Sequence, residues 1–316
     1  MTKTAWVFPG QGSQAVGMGV DLQESPVAKN KFEIAENILG WSVLDICQGD
    51  ETNLARTLYT QPCLYVIESI IADLLLEKTE APQLVAGHSL GEYVALYTAG
   101  VFDFESGLRL VKERSELMSK AAGRHFAASS FTRSELMSKA AGGKMAALMK
   151  FDRDQLENLI EASPNVVLAN DNSAGQVVIS GTPEAVDQVL AEVKAKRKVA
   201  LNVSGAFHSP LMAEASGQFQ SVLEEIAFND AKIPVLSNVE PIPATKGEEL
   251  KQRLVQQMTG SVKWREIMEQ LSQQEITRTI EVGPGKVLTG LLKRACKGME
   301  LATVGTIESL DKLGNG

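Results

Sequence analysis

The chain alternates short apolar runs with longer stretches in which apolar residues recur every three or four positions. Residues 4–8, Thr-Ala-Trp-Val-Phe, form a run long enough for a buried strand and too short for a helix. A Gly-rich loop at 9–19 follows, then helical periodicity over about 26–39 and about 62–77. Leu84, Val85 and Ala86 make a second strand, and helices are expected at about 91–99 and 104–118. Strand and helix in alternation are the cadence of an α/β domain with a mainly parallel sheet.

Between 143 and 204 the pattern changes. Strands at 144–149, 166–169, 176–179 and 199–203 are interleaved with helices at 152–162 and 183–195, in the order βαββαβ. Thr182 stands at an N-cap with Pro183 in the first turn, and the turn-rich 170–175 joins the two middle strands. The order predicts a ferredoxin-like subdomain, residues 143–204, inserted in a discontinuous larger domain of residues 1–142 and 205–316. Beyond it the first cadence resumes, with helices at about 211–226 and 246–258, strands at 234–238 and 279–282, and a helix from Lys286.

A net charge of −8 argues against nucleic acid and against an anionic membrane surface as partners. The run Lys194-Ala195-Lys196-Arg197-Lys198 is a local exception, read as a solvated helix end that could meet an acidic partner. Cys47, Cys63 and Cys296 lack metal-ligand spacing and read as free thiols of a reducing compartment, so no metal is expected. The first residues run straight into a strand without signal-peptide anatomy. The longest apolar stretch, 64–76, is broken by Glu68 and Asp73. A cytoplasmic protein is the expectation, with monomer as the default.

One segment breaks the pattern. The ten residues 114–123, Arg-Ser-Glu-Leu-Met-Ser-Lys-Ala-Ala-Gly, recur identically at 133–142. Two copies are too few for a repeat architecture, so 114–132 and 133–142 read as a local tandem duplication. On one helix the copies would lie ~28 Å apart along the axis and ~100° apart around it. Arg114 and Arg133 could not then serve the same site.

The chemistry centres on Gly87-His88-Ser89-Leu90-Gly91, between the strand at 84–86 and the helix at 91–99. A serine flanked by glycines at a strand-to-helix turn is a nucleophile elbow. The turn is too sharp for side chains on both flanks, and it lifts the Ser89 hydroxyl clear of the sheet. Such a serine needs a base, and the chain has three histidines. His88 leaves the elbow in another direction, and His125 lies in the duplicated stretch. His208, in Gly205-Ala206-Phe207-His208-Ser209, remains as general base and acid. An oxyanion hole needs two inward-pointing amides, and Leu90 and Gln11 are placed to supply them. A phosphate-binding turn is the rival reading of the Gln11 loop, but no Walker Lys-Ser or Lys-Thr pair follows.

Four motifs together carry a family resemblance: Phe8-Pro-Gly-Gln-Gly-Ser-Gln14, Gly87-His-Ser-Leu-Gly-Glu-Tyr93, Gly205-Ala-Phe-His-Ser209 and Glu281-Val-Gly-Pro-Gly-Lys-Val-Leu288. In this order, over nearly the whole chain, they resemble the malonyl-CoA:acyl-carrier-protein transacylases of type II fatty acid synthesis. The resemblance implies an α/β-hydrolase-like domain with a ferredoxin-like insertion. It implies that Ser89 is acylated by malonyl-CoA and deacylated by the phosphopantetheine thiol of holo acyl carrier protein, with no bound cofactor. It places the malonate-binding arginine 25 residues past the serine, at Arg114. A guanidinium fork matches a carboxylate with two parallel hydrogen bonds. It implies further that Gln257 orients His208, and that the Phe207 ring favours malonyl over α-branched acyl groups. The second copy departs from the family pattern and leaves Arg133 as a rival for the clamp. The bland reading of either arginine is a surface ion pair to Glu113, Glu116 or Glu135. The rival functions are a polyketide-type acyltransferase, a serine esterase or thioesterase, and an idle carrier-binding module.

Overall fold

The computed structural model describes residues 2–123, 142–203 and 205–314. Residues 124–141 therefore lie outside the described residues: they hold His125, the loop expected at 123–132 beyond Gly123, and the second copy from Arg133 to Ala141. In chain order the described strands are β1 (Thr4–Phe8), β2 (Leu84–Gly87), β3 (Lys144–Phe151), β4 (Val166–Ser173), β5 (Gln176–Gly181), β6 (Ala195–Ala200), β7 (Val235–Leu236), β8 (Arg278–Val282) and β9 (Glu300–Val304). Five form a parallel sheet ordered β7-β2-β1-β8-β9. The other four form an antiparallel sheet ordered β4-β5-β3-β6.

Helices cover both faces of the parallel sheet, which is why β1 is apolar throughout instead of alternating. Trp6 and Phe8 pack into one core, and Ala5 and Val7 into the other. From β1 the chain builds β2 and β7 on one side, then returns to add β8 and β9 on the other. The carboxyl ends next to such a switch of direction border the crevice where open parallel sheets place their ligand sites. Four segments converge there: the loop 9–19 after β1, the serine turn after β2, Ser237 and Asn238 after β7, and the loop 283–286 after β8.

Two helices back this crevice. The helix Thr57–Lys78 starts five residues before the periodicity suggests, because Pro62 interrupts its first turns. Proline has no N–H to give the Leu58 carbonyl. Ser115 Oγ of the neighbouring helix, Phe104–Gly123, lies 3.4 Å from that oxygen and 2.8 Å from its other acceptor, the Lys112 carbonyl. Glu68 and Asp73 sit within this helix, and no helix among the described residues is long and apolar enough to cross a membrane.

The antiparallel sheet follows the βαββαβ order, with helices Arg153–Glu161 and Pro183–Glu192 between its strands. Two local expectations fail. The helix expected to reach 195 ends at Glu192, and the basic run continues as the edge strand β6 instead of a helix end or the expected strand at 199–203. Lys196, Arg197 and Lys198 are exposed there, so the strand lacks the apolar alternation that would have announced it. Charged residues are common on edge strands, where they discourage pairing with other chains. The segment expected as a turn at 170–175 is strand as far as Ser173, across two register shifts. Its polar residues are held by tertiary partners: Asp171 accepts from Arg153 at 2.8 Å and from Arg265 at 3.0 Å.

Candidate active site

The serine turn is closed by backbone-to-backbone contact. A Cβ on Gly87 would stand 1.9 Å from the Gly91 carbonyl carbon, and one on Gly91 would stand 2.0 Å from the Phe8 carbonyl oxygen. Only glycine fits either position. Ser89 itself keeps a side chain at φ 54°, in the left-handed region that L residues seldom occupy. Its main chain is held from both ends. Ser89 N–H donates to Asn238 Oδ1 at 2.6 Å, and the Ser89 carbonyl accepts from Gln257 Nε2 at 2.8 Å.

His208, 4% exposed, arrives on the loop beyond β6, with Nε2 2.8 Å from Ser89 Oγ. Its Nδ1 faces two carbonyl oxygens, Gln257 O at 2.9 Å and Gly260 O at 3.2 Å. Carbonyl oxygens only accept, so Nδ1 carries the proton and Nε2 is the acceptor for the serine hydroxyl. Gln257 closes the helix Gly247–Gln257, whose carboxyl end bears partial negative charge. Main-chain carbonyls thus stand where a triad would put a carboxylate.

Arg114 lies fully buried on the helix Phe104–Gly123. Its Nη1 donates to Gln61 Oε1 at 2.6 Å, and its Nη2 to Ser89 Oγ and to Gln257 Oε1, both at 3.1 Å. The guanidinium carbon also lies 5.3 Å from the centre of the Tyr93 ring. The surface ion pair to Glu113 or Glu116 does not form, because the helix turns residue 114 into the core. Burial first, and then the Arg114 charge, lower the His208 pKa to about 3. The imidazole is therefore neutral, and able to accept a proton, at any ordinary pH.

The remaining expected residues fall around this centre. Leu90 is buried at the N-cap of the helix Gly91–Thr98, so its amide is not used within that helix. The loop carrying Gln11 presses on the turn: a Cβ on Gly10 would stand 2.3 Å from His88 O and 3.6 Å from Leu90 N. Phe207 is buried and lines, with Gln11, Gln61, Met118, Ser89 and His208, a cavity of about 330 Å3. His88 turns away from the serine, with Nε2 2.9 Å from Asn172 Oδ1 in β4. Gln257 touches His208 through its main chain, while its side chain goes to Arg114, Ser89 and Glu92.

The fourth motif is architectural. The Glu281 carboxylate accepts from Leu288 N at 3.0 Å and Thr289 N at 2.7 Å, capping the helix Val287–Ala295 beside the cavity. Among the described residues, no group of three or more His, Cys, Asp or Glu side chains could hold a metal.

Sequence reasoning missed Gln61, Glu92 and Asn238. Glu92 had a signal, since a carboxylate directly before the apolar run Tyr93-Val94-Ala95-Leu96 invites the question of what it binds. Gln61 and Asn238 had none, because polar residues at the edges of predicted elements are ordinary.

The acyl transferase domain model matches residues 5–130 and 125–312, two stretches that meet inside the duplicated segment. A malonyl CoA-acyl carrier protein transacylase of Synechocystis sp. PCC 6803 is 57% identical over 98% of this chain and 100% of its own length. The crystal structure of the Synechocystis enzyme matches with a TM-score of 0.91, covering 98% of this chain and 99% of that one. A polyketide biosynthesis transacylase of Bacillus subtilis, PksC, is 39% identical over 93% of this chain and 98% of its own. A malonyl-transacylase solved in complex with its type II polyketide acyl-carrier protein is 36% identical, with a TM-score of 0.88 and both chains wholly covered. Matched by the acyl transferase domain model across both halves and alike from end to end to these transacylases, a chain that sets a serine turn, a histidine and a buried arginine at the carboxyl edge of a parallel sheet belongs to the acyl transferase family.

Proposed function

We propose that this protein transfers a malonyl group from malonyl-CoA to the phosphopantetheine thiol of holo acyl carrier protein, through an acyl-serine at Ser89. The observation that carries the reading is Arg114: a buried cation 3.1 Å from Ser89 Oγ whose hydrogen-bond partners are all neutral. A carboxylate on the acyl group would complete it with two parallel charge-assisted bonds. A plain esterase or thioesterase has no use for such a charge beside its nucleophile.

In the first half-reaction Ser89 Oγ attacks the thioester carbonyl while His208 Nε2 takes its proton. The oxyanion is received by the amides of Leu90 and Gln11. Collapse breaks the carbon–sulfur bond, and His208 returns the proton to the departing CoA thiolate. In the second, His208 takes the proton of the carrier thiol, sulfur attacks the malonyl ester, and Ser89 leaves with that proton. The carbonyls of Gln257 and Gly260 hold His208 in the required tautomer and stabilise its transient charge. The Phe207 ring narrows the cavity against an α-methyl branch, a discrimination worth ~1–3 kcal/mol. No bound cofactor, metal or membrane enters this scheme, and the protein works as a cytoplasmic monomer. Residues 143–204 form the inserted unit of the larger domain, and their exposed edge Lys196, Arg197 and Lys198 offers a surface for the acidic carrier.

A second reading concerns the acceptor alone, since a relative 39% identical over 93% of this chain serves polyketide biosynthesis by name. Radiolabelled malonyl-CoA tests both. Stable label on Ser89 that chases to holo carrier protein is expected, and comparing fatty acid and polyketide carriers names the acceptor. Rapid release of free malonate would instead mark a thioesterase, and no label an idle binding module. Arg114→Ala should abolish loading while Arg133→Ala retains it; the reverse would move the clamp to the second copy.

A further inference from the structure

Glu92 is fully buried one turn beyond the nucleophile, and neither half-reaction above uses it. Its Oε2 accepts from Asn238 N at 3.1 Å and from Gln257 Nε2 at 2.7 Å. Those two partners are the residues that hold the main chain of Ser89, Asn238 by its N–H and Gln257 by its carbonyl. Gln257 also touches the other two members of the site: its Oε1 accepts from Arg114 Nη2, and its main-chain oxygen accepts from His208 Nδ1.

We infer that Glu92 is a positioning residue for the transfer, because it fixes which end of the Gln257 amide faces Arg114 and so keeps nucleophile, clamp and base in one register. The role rests on the function proposed above. A glutamine side chain can be turned end for end at almost no steric difference. Here both hydrogens of Nε2 are taken, one by the Ser89 carbonyl and one by Glu92 Oε2. Only Oε1 is left for the guanidinium, and Arg114 can only donate. Turning the amide would set Nε2 against Arg114 and Oε1 against two acceptors, leaving several buried groups unpaired. Ser89 in its left-handed conformation depends on the same arrangement, since strained backbone persists only where its surroundings over-determine it.

The test compares Glu92→Ala, Glu92→Gln and Glu92→Asp with wild type. Malonyl-CoA KM and kcat read the clamp, and the labelling rate with a serine-directed fluorophosphonate reads the nucleophile and base alone. Glu92→Ala should raise KM for malonyl-CoA roughly tenfold, lower kcat, and slow fluorophosphonate labelling, by loss of a buried hydrogen bond to each partner. Glu92→Gln presents an amide oxygen to the same two donors and should restore both parameters to within about threefold of wild type. A residue needed only for folding would lower the melting temperature and leave KM unchanged in the folded fraction. Should Glu92→Ala not fold, Glu92→Asp withdraws the acceptor by one methylene with its charge kept, and KM should rise in it too. Wild-type parameters in Glu92→Asp or Glu92→Ala, or Glu92→Gln as impaired as Glu92→Ala, would overturn the role of Glu92 while wild type still loads malonyl. Failure of wild type to load would overturn the transfer reaction itself, and the role with it.

Discussion

At the scale of single residues, the electrostatics of the site follow from a short distance. Arg114 donates to the same hydroxyl oxygen whose proton His208 takes in the proposed transfer, so one cation favours the serine alkoxide and disfavours a charged imidazole. The lowered His208 pKa gives a sign to the pH dependence. Activity that requires neutral His208 should stay flat from neutral pH down to about 5, and fall only as the imidazole begins to take up protons. Removing the arginine removes a cause of the lowering, so in Arg114→Ala the acid limb should move up towards the ordinary histidine value of 6.5. Fluorophosphonate labelling rates across pH measure this without needing the clamp. A limb that stays in place in Arg114→Ala would show that burial alone sets the histidine. That Ser89 and His208 meet was legible in the sequence, because a serine proposed as nucleophile needs a base and few histidines exist. The neutral, hydrogen-bonding company of Arg114 was not legible, since Gln61 and Gln257 lie 53 and 143 residues from it.

At the scale of elements, the serine turn depends on how closely β1, β2 and the helix Gly91–Thr98 approach one another. Gly91→Ala would force a methyl group to 2.0 Å from the Phe8 carbonyl oxygen, in backbone that cannot yield locally. This variant should lose several degrees or more of thermal stability and lose serine labelling together. Gly217→Ala is the control: it lies in the helix Ala213–Glu225 with nothing within 4 Å of the added carbon. Alanine there should raise stability by ~0.5–1 kcal/mol, read as a small rise in melting temperature. Elements with a clear pattern were readable in advance, as in the apolar run of β1 and the start of the helix Pro183–Glu192. β6 was not, because its exposed lysines and arginine on a sheet edge have the look of a solvated helix end. The continuation of β4 through Asp171 and Asn172 was hidden for a related reason: Asp171 is satisfied by Arg153 and Arg265, and Asn172 by His88, partners that the local sequence does not contain.

At the scale of the whole molecule, the duplicated segment is the test of how much the site owes to the first copy. Arg114, Ser89, His208, Gln61, Glu92, Asn238 and Gln257 all lie outside 124–142. Deleting 124–142 joins Gly123 to Gly143 and leaves one copy of the ten-residue sequence intact. The shortened protein should load malonyl from malonyl-CoA as fast as the full chain, measured by the same label on Ser89. Loss of loading would show that the second copy, with Arg133, supplies part of the site.

The sequence by itself determined the α/β class, the antiparallel unit between two halves of a parallel one, and the pairing of Ser89 with His208. These follow from local period and from chemistry that few residue types can perform. Only the tertiary structure decided that main-chain carbonyls orient His208, that Arg114 is buried against Ser89, and that Glu92 and Asn238 hold the turn. Those relations join residues up to 168 positions apart, through a strand order and helix ends that local pattern does not encode. A polar side chain at an element edge reads alike whether it faces water or a nucleophile, and the packing of the sheet is what tells the two apart.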